Sequence, residues 1–372
     1  MNIGIITFHG SHNHGSMLQA YATQQLINNI GYDSEIINFR MKSQKEYYAL
    51  YQTKYGKMRL FRGLLLVPIH NARSKREIKF EEFLNSKMNL SGRELETYDD
   101  LKSVESHYDI YLSGSDQIWS NRIPELVGSE IDYSGVYFLD FASPDKKKIS
   151  FASSTGAATR EDLSSKVELL RQYDYISTRE VTGSEIIGNL LDRKVETVLD
   201  PTLMLTGDDW RKIINKKRIE KEKYIFLYTL KGIRPGRKWG DALSQLGKRL
   251  GLKVVCVSPF FPIIHSGVKN YINVGPEDFL NLIENAELVF TDSFHGTAFS
   301  VNLEKPFYTL SLEKDSRKAD LLKELGLDER IINSFADIDR IRDYHIDFSI
   351  SRKELTTLRN KGCEFLRNAI EG

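Results

Sequence analysis

Two hydrophobic periodicities take turns along the chain. Asn2–Thr7 is a short apolar run rich in β-branched residues, the mark of a buried strand. The segment MLQAYATQQLINNIG that follows a glycine-bearing loop places apolar residues at helical spacing and stops at Gly31. Ser34–Phe39 then reads as a second strand. A βαβ opening of this kind predicts a doubly wound parallel sheet. Strand-like runs return at Tyr108–Leu112, Lys148–Ala152, Tyr175–Ser177 and Val195–Leu199, with helical segments between them.

LDPTLML (Leu199–Leu205) interrupts this rhythm, because Asp200-Pro201 breaks regular structure. A charged stretch leads to a new strand at Tyr224–Tyr228. After it come a helix near Trp239–Leu250, a strand at Lys253–Ser258, a helix at Glu277–Asn285 and a strand at Leu288–Phe290. The pattern predicts an N-terminal Rossmann-like domain over 1–205, a C-terminal one over 206–350, and an amphipathic closing helix over 351–372.

Composition changes this picture little. The 372 residues are 41% hydrophobic and 28% charged, ordinary for a globular protein. The net charge of +1 gives no global field for nucleic acid. Two distant cysteines, Cys256 and Cys363, define neither a disulfide framework nor a zinc site, so a reducing, cytoplasmic setting is expected. The start MNIGIITFHG lacks a secretion signal. The longest apolar run, Gly63–Ile69, falls far short of the roughly 20 residues that span a bilayer. Locally the charge is uneven. Residues 41–80 hold ten Lys or Arg and two Glu, an excess of ten minus two, or +8, interleaved with tyrosines. Such a stretch is either a solvated helical face or a surface for anionic lipid at the inner face of the cell membrane.

Five polar clusters sit at predicted strand ends. In TFHGSHNHGSMLQAYA, Gly10 and Gly15 allow tight turns before a helix whose first amides favour a phosphate or carboxylate. His9, His12 and His14 in that loop lack an acidic or cysteine partner nearby, so polar loop histidines or substrate contacts are expected rather than a metal. YLSGSDQIW delivers Ser115 and Asp116, and a plain helix cap explains them equally well. FASSTGA is a third cluster. In STRE, Arg179 is placed either to bind an anion or to pair with Glu180 or another loop. Last, TDSFHGTAFS sets Asp292, Ser293, His295, Gly296 and Thr297 at a strand-to-helix turn, where α/β proteins place their chemistry.

GIITFHGSHNHGSMLQAYA, SGSDQIW, LDPTLML and TDSFHGTAFSVNLEKPF, in this order, resemble the polysaccharide pyruvyl transferase family, from Ile3 to about Leu325. The resemblance implies two Rossmann-like domains facing a cleft, as in GT-B glycosyltransferases, with a C-terminal helix that crosses back. It implies transfer of the enolpyruvyl unit of phosphoenolpyruvate to a sugar of a cell-surface polysaccharide, or of its lipid-linked precursor, as a ketal. No cofactor or metal is implied. The family's histidine falls on His295, with Asp292 shaping its setting. Ser293 stands where characterised branches carry an arginine that holds the donor. The donor set then comprises Ser293, Gly296, Thr297 and cations from elsewhere: Arg179, Lys231, Arg234 and Arg317. The acceptor set comprises His9, Gly10, His12, Asn13, His14, Gly15, Ser115 and Asp116. Two rival readings share the fold: a GT-B glycosyltransferase using a nucleotide sugar, with Glu277 or Asp278 gripping the ribose, and a non-enzymatic sugar- or phosphate-binding protein.

Overall fold

The structure, a computed structural model, describes residues 1–48, 67–120, 123, 133–230, 233–311 and 316–372. Lys231 lies outside the described residues, and so does the side chain of Arg234. Of the basic 41–80 stretch, 41–48 and 67–80 are described.

The chain forms two compact units. The first comprises Met1–Pro68, Glu81–Met204 and Leu358–Gly372, and the second Ile69–Phe80 and Leu205–Thr357. The first is built on a sheet of β1 (Ile3–Ile6), β2 (Ser34–Ile36), β3 (Ile110–Ser113), β4 (Lys147–Ser153), β5 (Tyr175–Thr178) and β6 (Glu196–Thr197), in the order β2-β1-β3-β4-β5-β6. Every pairing is parallel. All four residues of β1 and of β3 are buried, which is why these strands read as continuous apolar runs. Helix α1 (His14–Asn29) connects β1 to β2. It ends where expected, because Gly31 takes φ +97, a left-handed conformation that glycine adopts at little cost. Helix α2 (His70–Lys87) supplies residues to both units.

The second unit repeats the plan. Its strands are β7 (Tyr224–Tyr228), β8 (Lys253–Val257), β9 (Val268–Asn270), β10 (Leu288–Thr291), β11 (Phe307–Leu310) and β12 (Ile331–Ile332). They lie in the order β12-β11-β10-β7-β8-β9, again all parallel. Helices α3 (Ile233–Leu250), α4 (Pro276–Glu284), α5 (Phe294–Asn302) and α6 (Ser316–Glu324) connect them. Its core gathers Ile225, Leu227, Trp239, Leu243, Leu288 and Phe290. Helix α7 (Ser349–Glu371) closes the chain. Its last turns pack in the first unit, where Lys147 donates to the terminal carbonyls of Ala369 (3.3 Å) and Ile370 (3.1 Å) and Phe365 stacks on Phe151. A cation there complements the negative end of the helix.

Both sheets reverse their winding at one point. In the first, β2 lies on one side of β1 and β3 on the other. In the second, β8 lies on one side of β7 and β10 on the other. The carboxyl ends of strands at such a reversal frame the crevice where doubly wound sheets bind ligands.

Candidate functional site

In the first unit the reversal brings the loop after β1 beside the loop after β3. Gln19 ties them: its amide donates to Thr7 Oγ1 (2.9 Å) and its carbonyl accepts from the Ser115 amide (3.1 Å). Ser16, on the first turn of α1, donates to Asp116 Oδ2 at 2.5 Å. Ser115 Oγ lies 3.2 Å from Asp200 Oδ2, and Arg179 Nη1 donates to that same oxygen at 2.7 Å. Arg179 Nε donates to Glu180 Oε1 at 3.1 Å. Thr202 donates to Asp200 through its amide (2.9 Å) and its hydroxyl (2.7 Å). Thus the clusters SGSD, STRE and LDPT meet around one buried guanidinium. Burial disfavours the charged form of Arg179, but the carboxylates of Glu180, Asp200 and Asp116 outweigh it and hold the proton more firmly than usual. The structure therefore places Arg179 in an ion pair with Glu180 and Asp200, and Ser115 beside the same carboxylate.

The His9–Gly15 loop divides in two. His9 is fully buried between the Thr7 carbonyl and Asn38 Oδ1, each 3.2 Å away, and burial pushes its pKa down. Asn13 caps α1, accepting from the Gly15 amide at 3.0 Å, and His14 and Gly15 are buried in the first turn. Gly10 packs against Arg40. His12 reaches outward, its Nε2 2.8 Å from Glu81 Oε1, with its side chain 14% exposed. Arg40 grips Glu81 with two nitrogens, at 3.0 and 2.6 Å. Burial of Glu81 favours its neutral form, but the bonds from His12 and Arg40 prevail and pull its pKa down to about 2. Neither Glu81 nor Arg40 stood out in the sequence.

In the second unit the reversal sets Asp292 and His295 after β10, beside the loop after β7. Asp292 accepts from the Thr229 hydroxyl (2.6 Å) and the Leu230 amide (2.8 Å), so its carboxylate clamps that loop. Ser293 is the N-cap of α5, its hydroxyl accepting from the Gly296 amide at 3.4 Å. Thr297 Oγ1 lies 3.0 Å from both the Ser293 carbonyl and Thr309 Oγ1. A Cβ on Gly296 would overlap the Thr291 hydroxyl and sit 2.9 Å from Thr291 Cβ, so only glycine lets α5 approach β10 this closely. His295 is 8% exposed in the first turn of α5. Arg317 is half-buried at the start of α6. The residue after it, Lys318, is 3% exposed and donates to the carbonyls of Asp292 (3.0 Å) and Leu310 (2.9 Å). Lys318 escaped the sequence reading, although a signal exists. It shares the helical stripe of Leu321, Leu322 and Leu325, and a lysine on a buried stripe needs a polar reason.

Asp278 is engaged too, accepting from Lys79 Nζ (2.6 Å) and from the Gly275 amide (3.1 Å). Among the described residues no group of three or more His, Cys, Asp or Glu is placed to hold a metal ion, and no helix is long and apolar enough to cross a membrane.

Two doubly wound parallel sheets, each with a polar cluster at its winding reversal, define a two-domain Rossmann-like fold of the GT-B-like class. Solved structures agree on the fold. UDP-N-acetylglucosamine 2-epimerase of Rickettsia bellii gives a TM-score of 0.54 at 8% identity, covering 99% of this chain and 96% of that one. MnaA of S. aureus, solved with UDP, gives 0.52 at 12%, covering 97% and 96%. UDP-GlcNAc 2-epimerase of Methanocaldococcus jannaschii gives 0.50 at 15%, covering 96% and 100%. At these identities the likeness concerns the fold alone. No curated protein sequence matches the chain. Residues 13–314 match the family described as polysaccharide pyruvyl transferase, and the chain belongs to that family of transferases.

Proposed function

We propose that this transferase moves the enolpyruvyl unit of phosphoenolpyruvate onto two hydroxyls of one sugar, in a cell-surface polysaccharide or its lipid-linked precursor, forming a pyruvate ketal and releasing phosphate. One observation carries the reading. His295 stands in the first turn of α5 at the winding reversal of the second sheet, with buried Lys318 bonded to the carbonyl of Asp292, three residues before it. A helix N-terminus and an ammonium suit an anionic donor. An imidazole suits proton transfer to carbon.

In the first step His295 gives its proton to C3 of the donor, and the first sugar oxygen bonds to C2 as that hydroxyl releases its proton. The C2–O bond to phosphate then breaks, its electron pair leaving with the phosphate. The second hydroxyl adds to C2 and loses its proton. Of the two protons the sugar releases, one restores His295 and the other ends on phosphate. Donor contacts fall to Ser293, Gly296, Thr297, Arg317 and Lys318, with Lys231 and Arg234 as further cations. Acceptor contacts fall to the Gly10–Asn13 loop, with half-buried His12 on it. Asp292 acts by fixing the loop after β7. The two carboxylates around Arg179 favour a supporting role for it over donor binding.

The test is incubation with phosphoenolpyruvate and a panel of free and lipid-linked glycans, reading phosphate release and glycan mass. His295→Gln keeps the size and polarity of the side chain but cannot relay the proton, so turnover should fall by about 10²–10⁴-fold with melting unchanged. Thermal shift separates the rivals. Stabilisation by UDP or GDP and not by phosphoenolpyruvate would establish a nucleotide-sugar enzyme, and a response to sugar alone a binding protein.

A further inference from the structure

The loop that follows β8 in the second unit reads SPFFPIIHSG, Ser258–Gly267. Ile263 is buried, and its neighbour Ile264 is 85% exposed, more than any other large apolar side chain among the described residues. Phe260, Phe261 and Pro262 beside it are half-buried. This is no loose tip. Asn270 donates to the Ile263 carbonyl and accepts from its amide, both at 2.8 Å. Arg76 of α2 donates to the Pro259 carbonyl at 2.8 Å, its guanidinium lying over the Phe80 ring. His265 Nδ1 meets Ser244 Oγ at 3.1 Å and accepts from the Gly267 amide at 3.0 Å. The fold thus anchors both flanks of Ile264 and leaves the isoleucine exposed. With half-buried Phe260, Phe261 and Pro262 it forms an apolar tip rather than a lone side chain.

The surroundings say what covers it. Ile263 packs where a Cβ on Gly236 would stand, 3.4 Å away, and His265 packs in the same way on Gly240. Both glycines lie on the first turns of α3, whose Arg237 and Lys238 are exposed. The segment that supplies Arg76 also carries Arg73 and Lys75, and Lys75 shares its outer stripe with Ile78, which is 54% exposed. The acids on these two segments are Asp241, 3.4 Å from His265 Nε2, and Glu77. Residues 69–80 hold Arg73, Lys75, Arg76 and Lys79 against Glu77, an excess of four minus one, or +3. An apolar tip flanked by segments with an excess of cations is complementary to an anionic bilayer surface, where the tip enters the acyl boundary and the cations meet phosphates.

We propose that the Pro259–Ile264 loop docks this protein on anionic membrane, with Ile264 entering the lipid. The proposal stands apart from the transferase reading, because binding is measured without turnover.

The full-length protein is sedimented with vesicles of phosphatidylcholine alone and of phosphatidylcholine with phosphatidylglycerol, at low and high salt. Binding should need phosphatidylglycerol and weaken with salt. Ile264→Asp should weaken it by roughly tenfold or more while melting with the parent, since the side chain is 85% exposed. Trp119, Trp210 and Trp239 are all buried. Ile264→Trp is therefore an exposed reporter whose emission should shift to the blue on anionic vesicles and become shielded from an aqueous quencher. Absence of binding at low salt overturns the proposal. So does Ile264→Asp binding as the parent does, or an Ile264→Trp emission that vesicles leave unchanged, because contact would then be through charge alone or with a protein partner.

Discussion

Arg179→Met separates two roles for one residue. The Arg179 side chain is 3% exposed, and its partners Glu180 and Asp200 are 2% and 0% exposed. Methionine fills much of the same volume and removes the charge. What remains is a pair of buried carboxylates held by neutral donors: Ser154 and the Thr155 amide on Glu180, and Thr202 and Ser115 on Asp200. Breaking a buried pair from one side typically costs about 3–5 kcal/mol. That is a large share of the roughly 5–15 kcal/mol that a folded protein has. At about 2–4 °C per kcal/mol for a unit of this size, the melting point should drop by about 6–20 °C. The assay is thermal and urea denaturation of parent and variant, beside phosphoenolpyruvate affinity. A variant that melts with the parent but no longer binds phosphoenolpyruvate would refute the ion-pair argument and return Arg179 to the donor site.

Gly296→Ala should lose about 1–3 kcal/mol by overpacking against Thr291 and displace His295, visible as lower stability and turnover together. Elsewhere in a helix the same change gains about 1 kcal/mol, so a stabilised variant would show that α5 and β10 are not in close contact. Glu81, with its pKa lowered from 4.5 to about 2, stabilises the fold fully above about pH 4.5 and loses that contribution as pH falls toward 2. The full shift corresponds to about 3 kcal/mol. With the side chain 33% exposed, about 1–2 kcal/mol is expected. Glu81→Gln should be less stable than the parent by that amount at pH 7 and converge with it only as pH falls to about 2. Parallel acid-unfolding curves would contradict the pairing with Arg40 and His12.

Several strands buried on both faces were legible because nothing polar interrupts them: β1, β7, β8 and β10 all show as apolar runs. β11, FYTL, is buried throughout as well but was not singled out. The edge strands β9 and β12 were not legible, since VKN and II are too short to carry a period. Val195–Leu199 read as a full strand, yet only Glu196–Thr197 pair, at the sheet's margin. The turn around His295 was visible because a polar cluster follows an apolar strand and precedes a helix. The fate of Arg179 was not visible. Asp200 lies 21 residues away, and only the parallel pairing of β5 with β6 brings the two loops together. Lys318 was hidden differently. Its neighbour Arg317 carries the same sign, and only helical phase tells that one of them turns inward.

The two winding reversals treat their polar residues differently, and this bears on where chemistry can occur. In the first unit Thr7, Ser16, Gln19, Ser115, Asp116, Arg179 and Asp200 are bonded to one another across strand ends. A buried donor or acceptor committed in this way costs about 1–3 kcal/mol to withdraw. Such residues serve a ligand by holding loops, and a substrate cannot readily recruit them. Gly10, His12 and Asn13 keep partial exposure there, with His12 steadied by Glu81. In the second unit Asp292 is similarly spent on Thr229 and Leu230, but this clamp and the Ser293 cap set the first turn of α5 and the imidazole on it. A polar residue at a strand end is thus weak evidence for catalysis until its partners are known.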